Sequence, residues 1–325
     1  MTFTITDIAG YGLKVAEKAA ISCYDWVGKG KEKLADAAAV EAMRDELNKI
    51  PFAGEVVIGE GERDEAPMLY IGEKVGSLQN NSPKNSFDIA LDPLEGTTIC
   101  ATAGANSLAV IAFAKKGNFL NAPDVYMEKI AVGARLPLGV VDLDNSVHNN
   151  LKNLAQAKKC DISDLKVIIL KRSRHEKMIA QCREAGARVQ LIPDGDIAAA
   201  IKTCDESLGA DMYLGTGGAP EGVLAAAALR VCGGQIQGRL IFNKKEDGSR
   251  DEAQIERAKK MGITDLSKKY NTEEMAKGDV VFIASGVTDG EMLAGVTKQN
   301  NKIIVNSLVM NSAEKSIKKT LSTYF

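Results

Sequence analysis

Histidine is almost missing from this sequence: among 325 residues only His148 and His175 occur. A zinc centre built on imidazoles has too few ligands to draw on. The six cysteines, Cys23, Cys100, Cys160, Cys182, Cys204 and Cys232, contain no Cys-x-x-Cys pair and read as reduced, buried thiols. Aromatic residues make up only 5%, which leaves little surface for stacking on bases, and 41 basic against 43 acidic residues leave a net charge of -2. Neither nucleic acid nor a membrane surface is implied as a partner. No apolar run approaches the length of a membrane span, and the start, Met1 to Asp7, has neither the basic region nor the apolar core of a signal peptide. The expectation is a cytoplasmic globular protein, 45% hydrophobic and long enough for two lobes.

What is present is acid at turns. Asp92-Pro93-Leu94-Glu95-Gly96-Thr97 follows the strand-like run Ser86 to Leu91. Pro93 fixes φ and is expected to end a central strand, while Gly96 lets the backbone turn sharply. Asp92, Glu95 and Thr97 should then converge. Carboxylates beside a hydroxyl suit a hard cation and a phosphate, and the N–H groups of Gly96, Thr97 and Thr98 would cradle the anion if a helix starts there.

Upstream, Tyr11 to Tyr24 and Asp36 to Leu47 carry apolar residues at helical spacing, with Asp36 placed to cap the second helix and complement its dipole. Gly54 to Ile58 reads as a buried strand that delivers Glu60 between Gly59 and Gly61. Those glycines permit close backbone approach and free the Glu60 carboxylate to turn inward as a ligand. Glu62, further along the same acidic run, is a weaker candidate set behind it. Asn106 to Phe113 and the stretch carrying Tyr126 read as strands; alone, Tyr126 would be a packed amphipathic side chain.

Pro137, Gly139 and a polar stretch between Leu136 and Asn153 suggest a boundary, giving lobes of residues 1–150 and 151–325. Beyond it, short apolar strands alternate with helices: strands at Lys166 to Leu170, Arg188 to Ile192 and Asp211 to Leu214, helices at His175 to Glu184, Asp196 to Cys204 and Val223 to Val231. This alternation predicts a mostly parallel sheet with ligands at the carboxyl ends of its strands. Those ends carry Lys171-Arg172-Ser173-Arg174, Asp194-Gly195-Asp196 and Gly217-Gly218-Ala219-Pro220-Glu221. Arg172 and Arg174 could fork onto a phosphate or form an ordinary solvated turn. Asp194 and Asp196 could accept sugar hydroxyls, or Asp196 could cap a helix. Gly215 to Gly222 fails the dinucleotide template because Pro220 stands where the third glycine belongs.

Together with Val57 to Glu62, Asp64 to Gly76, Phe119 to Asp124, Tyr126 to Lys129, Ile192 to Asp196 and Gly217 to Gly222, the Asp92 to Thr97 signature resembles the class II, bacterial-type fructose-1,6-bisphosphatases of the lithium-sensitive, metal-dependent phosphatase superfamily. The resemblance runs from about Asp36 to the C-terminus. It implies a two-lobed α/β sugar-phosphatase fold of layered helices and sheets, with the active site in the cleft between lobes. It also implies a gluconeogenic hydrolase, homo-oligomeric, that removes the 1-phosphate of fructose 1,6-bisphosphate with two or three Mn2+ or Mg2+ ions. Asp36, Glu60, Asp92, Glu95 and Glu221 match its metal ligands. Tyr126, Arg172, Ser173, Arg174, Asp194, Gly195, Asp196 and Gly218, with Glu95, Gly96 and Thr97, fall at its substrate contacts. Where class II enzymes commonly show Lys-Pro, this chain reads Arg172-Ser173, keeping the charge while changing the local backbone. The catalytic group is Asp92, Glu95 and Thr97; the Thr97 hydroxyl either helps deprotonate the attacking water or itself attacks phosphorus. Alternatives are a phosphatase for sedoheptulose 1,7-bisphosphate or an inositol phosphate, and a sugar-phosphate binding or sensing protein without turnover.

Overall fold

The computed structural model describes residues 3–59, 68–78, 85–242 and 251–325. The chain divides into two compact units, Met1–Leu120 with Ala276–Phe325, and Asn121–Met275.

The first unit opens with helix α1 (Ile5–Tyr24), started by a reciprocal capping box between Thr4 and Asp7, and α2 (Glu32–Leu47). Strands β1 (Ala53–Ile58), β2 (Lys74–Val75) and β3 (Ser86–Glu95), the short helix α3 (Thr97–Ala101) and β4 (Leu108–Lys115) follow. The chain then builds the second unit: β5 (Tyr126–Val132), α4 (Val147–Lys158), β6 (Lys166–Leu170), α5 (Glu176–Glu184), β7 (Arg188–Ile192), α6 (Asp196–Lys202), β8 (Met212–Gly218), α7 (Ala219–Cys232), β9 (Gln235–Ile241), α8 (Glu252–Lys260), β10 (Lys269–Asn271) and α9 (Thr272–Met275). It returns to the first unit through β11 (Val280–Gly286), β12 (Thr297–Gln299), β13 (Lys302–Asn311) and β14 (Ser316–Tyr324). The α/β class expected from the sequence is borne out. Among the described residues no helix is long and apolar enough to cross a membrane.

The first sheet is ordered β12-β13-β11-β4-β3-β1-β2, with β14 paired to β13; β1 and β3 run parallel and the other pairs antiparallel. Its central strand β4, Leu-Ala-Val-Ile-Ala-Phe-Ala-Lys, is buried almost throughout, as a strand flanked on both sides requires. Phe52 meets Phe87 and Phe113 edge-on in a core shared with α1 and α2.

The second sheet is ordered β10-β9-β5-β8-β6-β7. Only the β6 pairings with β7 and β8 are parallel, so the expectation of a mostly parallel sheet gives way to a mixed one. The cause is β5, which inserts antiparallel between β8 and β9. The same strand moves the boundary. The strand carrying Tyr126 falls within the expected first lobe, yet among the described residues it pairs with β8 and β9 of the second unit, and the C-terminal strands rejoin the first sheet through β4 and β11. The division therefore falls at Leu120/Asn121 and Met275/Ala276 rather than near residue 150.

Candidate functional site

In the first unit the acid turn is built into β3 itself. Pro93 does not end the strand as expected. The β3–β4 register, which matches Asp92 to Val110, shifts before Glu95 meets Leu108, and this irregularity absorbs the missing N–H of Pro93. The Leu94 amide donates to Asp92 Oδ1 at 3.1 Å, and the Ser107 hydroxyl donates to the Glu95 carbonyl at 3.0 Å. Glu95 is 4% exposed, whereas Asp92 and Thr97 are half-buried. Gly96 adopts φ +80, ψ 57 and is the N-cap of α3, so the amides of Thr97 and Thr98 belong to the first helical turn. Any other side chain there would be strained.

Helix α2 packs on α3 and β3. Asp36 is its fifth residue, one turn beyond the start at Glu32, so it does not cap the helix. The buried Cys23 thiol is pushed well above its ordinary range, first by burial, then by Cys100, and further by the charges of Asp36 and Asp92. Asp36 thus sits on a helix that packs against the strand carrying Asp92. Glu60 and Glu62 lie outside the described residues.

In the second unit the candidates gather at the ends of β5 to β8. Tyr126, 42% exposed, opens β5, and the Arg174 guanidinium lies 4.8 Å from its ring centre. Arg174 also donates through Nε and Nη2 to the Thr216 carbonyl, at 3.1 and 2.7 Å. Arg172 donates to the carbonyls of Pro193 and Lys171. Both guanidinium groups are therefore oriented by backbone, and Ser173 sits exposed between them in a 3₁₀ turn, Ser173–His175. Asp194 accepts the Gly195 amide at 3.1 Å, and Gly195, at φ +88, starts α6. Asp196 is not a simple cap: buried to 6%, it meets Lys129 and Tyr213 through Oδ2. Strand β8 runs on through the glycine-rich segment, and α7 begins directly at Ala219 with Pro220 and Glu221 in its first turn. A Cβ at Gly218 would collide with the Glu221 carboxylate, so only glycine leaves that group its place. A carboxylate oxygen of Asp196 and one of Glu221 lie within 4.8 Å. In both units these acids offer oxygen alone, which fits a hard divalent ion.

The chain matches, over residues 7–324, the family described as bacterial fructose-1,6-bisphosphatase, glpX-encoded. It is 43% identical to fructose-1,6-bisphosphatase 1 class 2 of Escherichia coli strain K12 over 319 residues, covering 96% of this chain and 93% of that one. This chain belongs to that family. It is also 44% identical over 319 residues to the D-fructose 1,6-bisphosphatase class 2/sedoheptulose 1,7-bisphosphatase of Thermosynechococcus vestitus, covering 94% of this chain and 92% of the relative. The protein named in the same way from Trichodesmium erythraeum is 43% identical over 318 residues, with the same two coverages of 94% and 92%. The class II resemblance of the signature stretches is borne out at the level of the family.

Three residues of this fructose-1,6-bisphosphatase family member escaped the sequence reading: Lys129, Tyr213 and His175. Lys129 left a signal, a lysine at a position that alternates with Met127 and Ala131 on one face of a strand. His175 left none, because its role depends on the backbone of Thr216, 41 residues away, as well as on that of Leu170. The Thr216 amide donates to His175 Nε2 at 2.8 Å, so Nδ1 carries the proton and donates to the Leu170 carbonyl at 2.7 Å. The ring, 1% exposed, thereby ties the end of β6 to β8 beneath the two arginines. Burial lowers its pKa below the ordinary 6.5, and the charges of Arg174 and Arg172 lower it further.

The sign of the pH effect follows. The unfolded chain takes up the proton first, so stability from neutral His175 is complete above about 6.5 and falls as pH drops below it. His175→Gln should lose about 2–4 kcal/mol, since two buried backbone groups lose well-placed partners. It should also flatten the dependence of Tm on pH below about 6.5 relative to the wild type. Thermal melts across that range check both; equal slopes in the two proteins would remove His175 as the cause.

Proposed function

We propose that this protein hydrolyses the 1-phosphate of fructose 1,6-bisphosphate, yielding fructose 6-phosphate and phosphate, with Mn2+ or Mg2+ as its cofactor. The observation that carries this reading is the turn Asp92 to Thr97, two carboxylates and a hydroxyl at the β3–α3 junction, in a chain of this family. Asp36, Glu60, Asp92, Glu95 and Glu221 serve as metal ligands. Bound divalent ions would neutralise phosphate oxygens and lower the pKa of an attacking water.

The remaining work falls to the chain itself. Thr97 either takes part in deprotonating that water or attacks phosphorus, and the Gly96–Thr97 backbone holds the reacting phosphate. Arg172, Ser173 and Arg174 hold the phosphate that is not cleaved, and Tyr126, whose ring lies against Arg174, contacts the same sugar phosphate. Asp194, Gly195, Asp196 and Gly218 receive the sugar. A second reading, activity on sedoheptulose 1,7-bisphosphate as well, is supported by the dual names of the cyanobacterial relatives. Membership of the lithium-sensitive superfamily is part of the same proposal.

Initial rates of phosphate release across fructose, sedoheptulose, inositol and nucleotide phosphates test the assignment, with each divalent ion in turn and after chelation. Release from fructose 1,6-bisphosphate that stops on chelation and returns with Mn2+ or Mg2+ is expected, together with partial inhibition by lithium. Binding of the bisphosphate without any release would leave the sensing protein as the better reading. Complete lithium insensitivity would set aside the superfamily proposal alone.

A further inference from the structure

One charged side chain lies on the face of β5 that meets α7. Strand alternation turns Met127, Lys129 and Ala131 to that side, and Ile130 and Val132 to the opposite core. Lys129 is 1% exposed. Its aliphatic stem passes Gly222, where a Cβ would stand 3.3 Å from Lys129 Cδ and 2.5 Å from Met127 Sδ. A buried ammonium persists only where partners replace its hydration. Lys129 Nζ pairs with Asp196 Oδ2 and donates to the Gly218 carbonyl at 2.8 Å. Tyr213, equally buried, donates its hydroxyl to the same Asp196 oxygen at 3.2 Å.

Two donors from adjacent strands therefore converge on one oxygen of a carboxylate that lies within 4.8 Å of Glu221. Stripped of Lys129, Asp196 and Glu221 would be two close acids, an arrangement that attracts a hard dication. With Lys129 in place the charge of Asp196 is already compensated, and the ammonium repels a second cation at short range. A neutral hydroxyl suffers no such repulsion. The Gly218 carbonyl bond has a separate consequence, since it fixes the N-cap of the helix whose first turn bears Glu221.

We propose that Lys129 is a positioning residue that withdraws Asp196 from the metal-binding acids and sets it as an acceptor for a sugar hydroxyl. This deepens the sugar-phosphatase reading and rests on it for the hydroxyl, but not for the effect on metal.

The test compares the wild type with Lys129→Met, Lys129→Arg and Tyr213→Phe. Calorimetric titration with Mn2+ in the absence of substrate should show that Lys129→Met binds one more ion per chain, or binds Mn2+ at least about tenfold more tightly. Lys129→Arg keeps the charge and should return the wild-type isotherm. In phosphate-release assays KM for fructose 1,6-bisphosphate should rise in Lys129→Met by at least about tenfold, more than kcat falls. A folded Lys129→Met with the wild-type isotherm and wild-type KM overturns the proposal. If that variant fails to fold, Tyr213→Phe decides, with a raised KM at nearly constant kcat supporting the role of Asp196 and an unchanged KM refuting it. A wild type that releases no phosphate would sink the enzymatic reading and leave the Mn2+ titration to judge Lys129 alone.

Discussion

Asp92→Asn, Glu60→Gln and Glu221→Gln will each lower turnover by at least about a thousandfold while the protein stays folded. Each change removes one negative charge from a site proposed to hold several divalent ions, and each keeps the side-chain volume. Structure and charge can be separated at Asp92. Its Oδ1 accepts the Leu94 amide, and the amide oxygen of an asparagine can accept the same bond, so the turn should survive while ion affinity does not. Glu221 allows a similar separation, because the space that Gly218 leaves for a carboxylate also admits an amide of equal size. The check is the initial rate of phosphate release at saturating Mn2+ or Mg2+, with circular dichroism confirming the fold. Any variant that retains a near-normal rate loses its residue from the ligand set.

How much of this was legible depended on the range of the interactions. The spans of β6 and β7 are set by local apolar runs, Lys166 to Leu170 and Arg188 to Ile192, and the structure keeps both. The Asp92 to Thr97 turn was legible as chemistry because residue types and spacing are local too. Its strand was misjudged at Pro93, since a register shift can absorb a proline only if a partner strand accommodates it, and β4 lies beyond the signature.

The same non-locality hid the domain division. Nothing within Val280 to Gly286 says that these residues will pair back onto β4, a partner more than 150 residues earlier, although the apolar run marks a strand. His175 and Lys129 were obscured for a related reason. A histidine that bridges two backbone groups, and a strand lysine whose counter-charge sits on a helix, acquire their meaning only when the sheet is assembled.

Thr97→Ala should lose at least about a hundredfold in kcat, and Thr97→Ser should keep measurable activity, if the hydroxyl takes part in activating water or in attacking phosphorus. A structural explanation for the same loss would be that Thr97 caps α3. The N-cap is Gly96, however, and Thr97 is the first helical residue, so removal of its hydroxyl takes away no capping bond. The backbone amides of the first turn are equally present in the alanine variant, as are the neighbouring carboxylates. Affinity for substrate and metal should therefore change little while the rate falls, the pattern of an interaction realised in the transition state. Binding of fructose 1,6-bisphosphate and Mn2+ measured by calorimetry, set beside kcat, separates the two effects. Parallel loss of binding and rate would make Thr97 a binding residue, and a rate for Thr97→Ala close to the wild type at saturating substrate and metal would remove the hydroxyl from the chemistry.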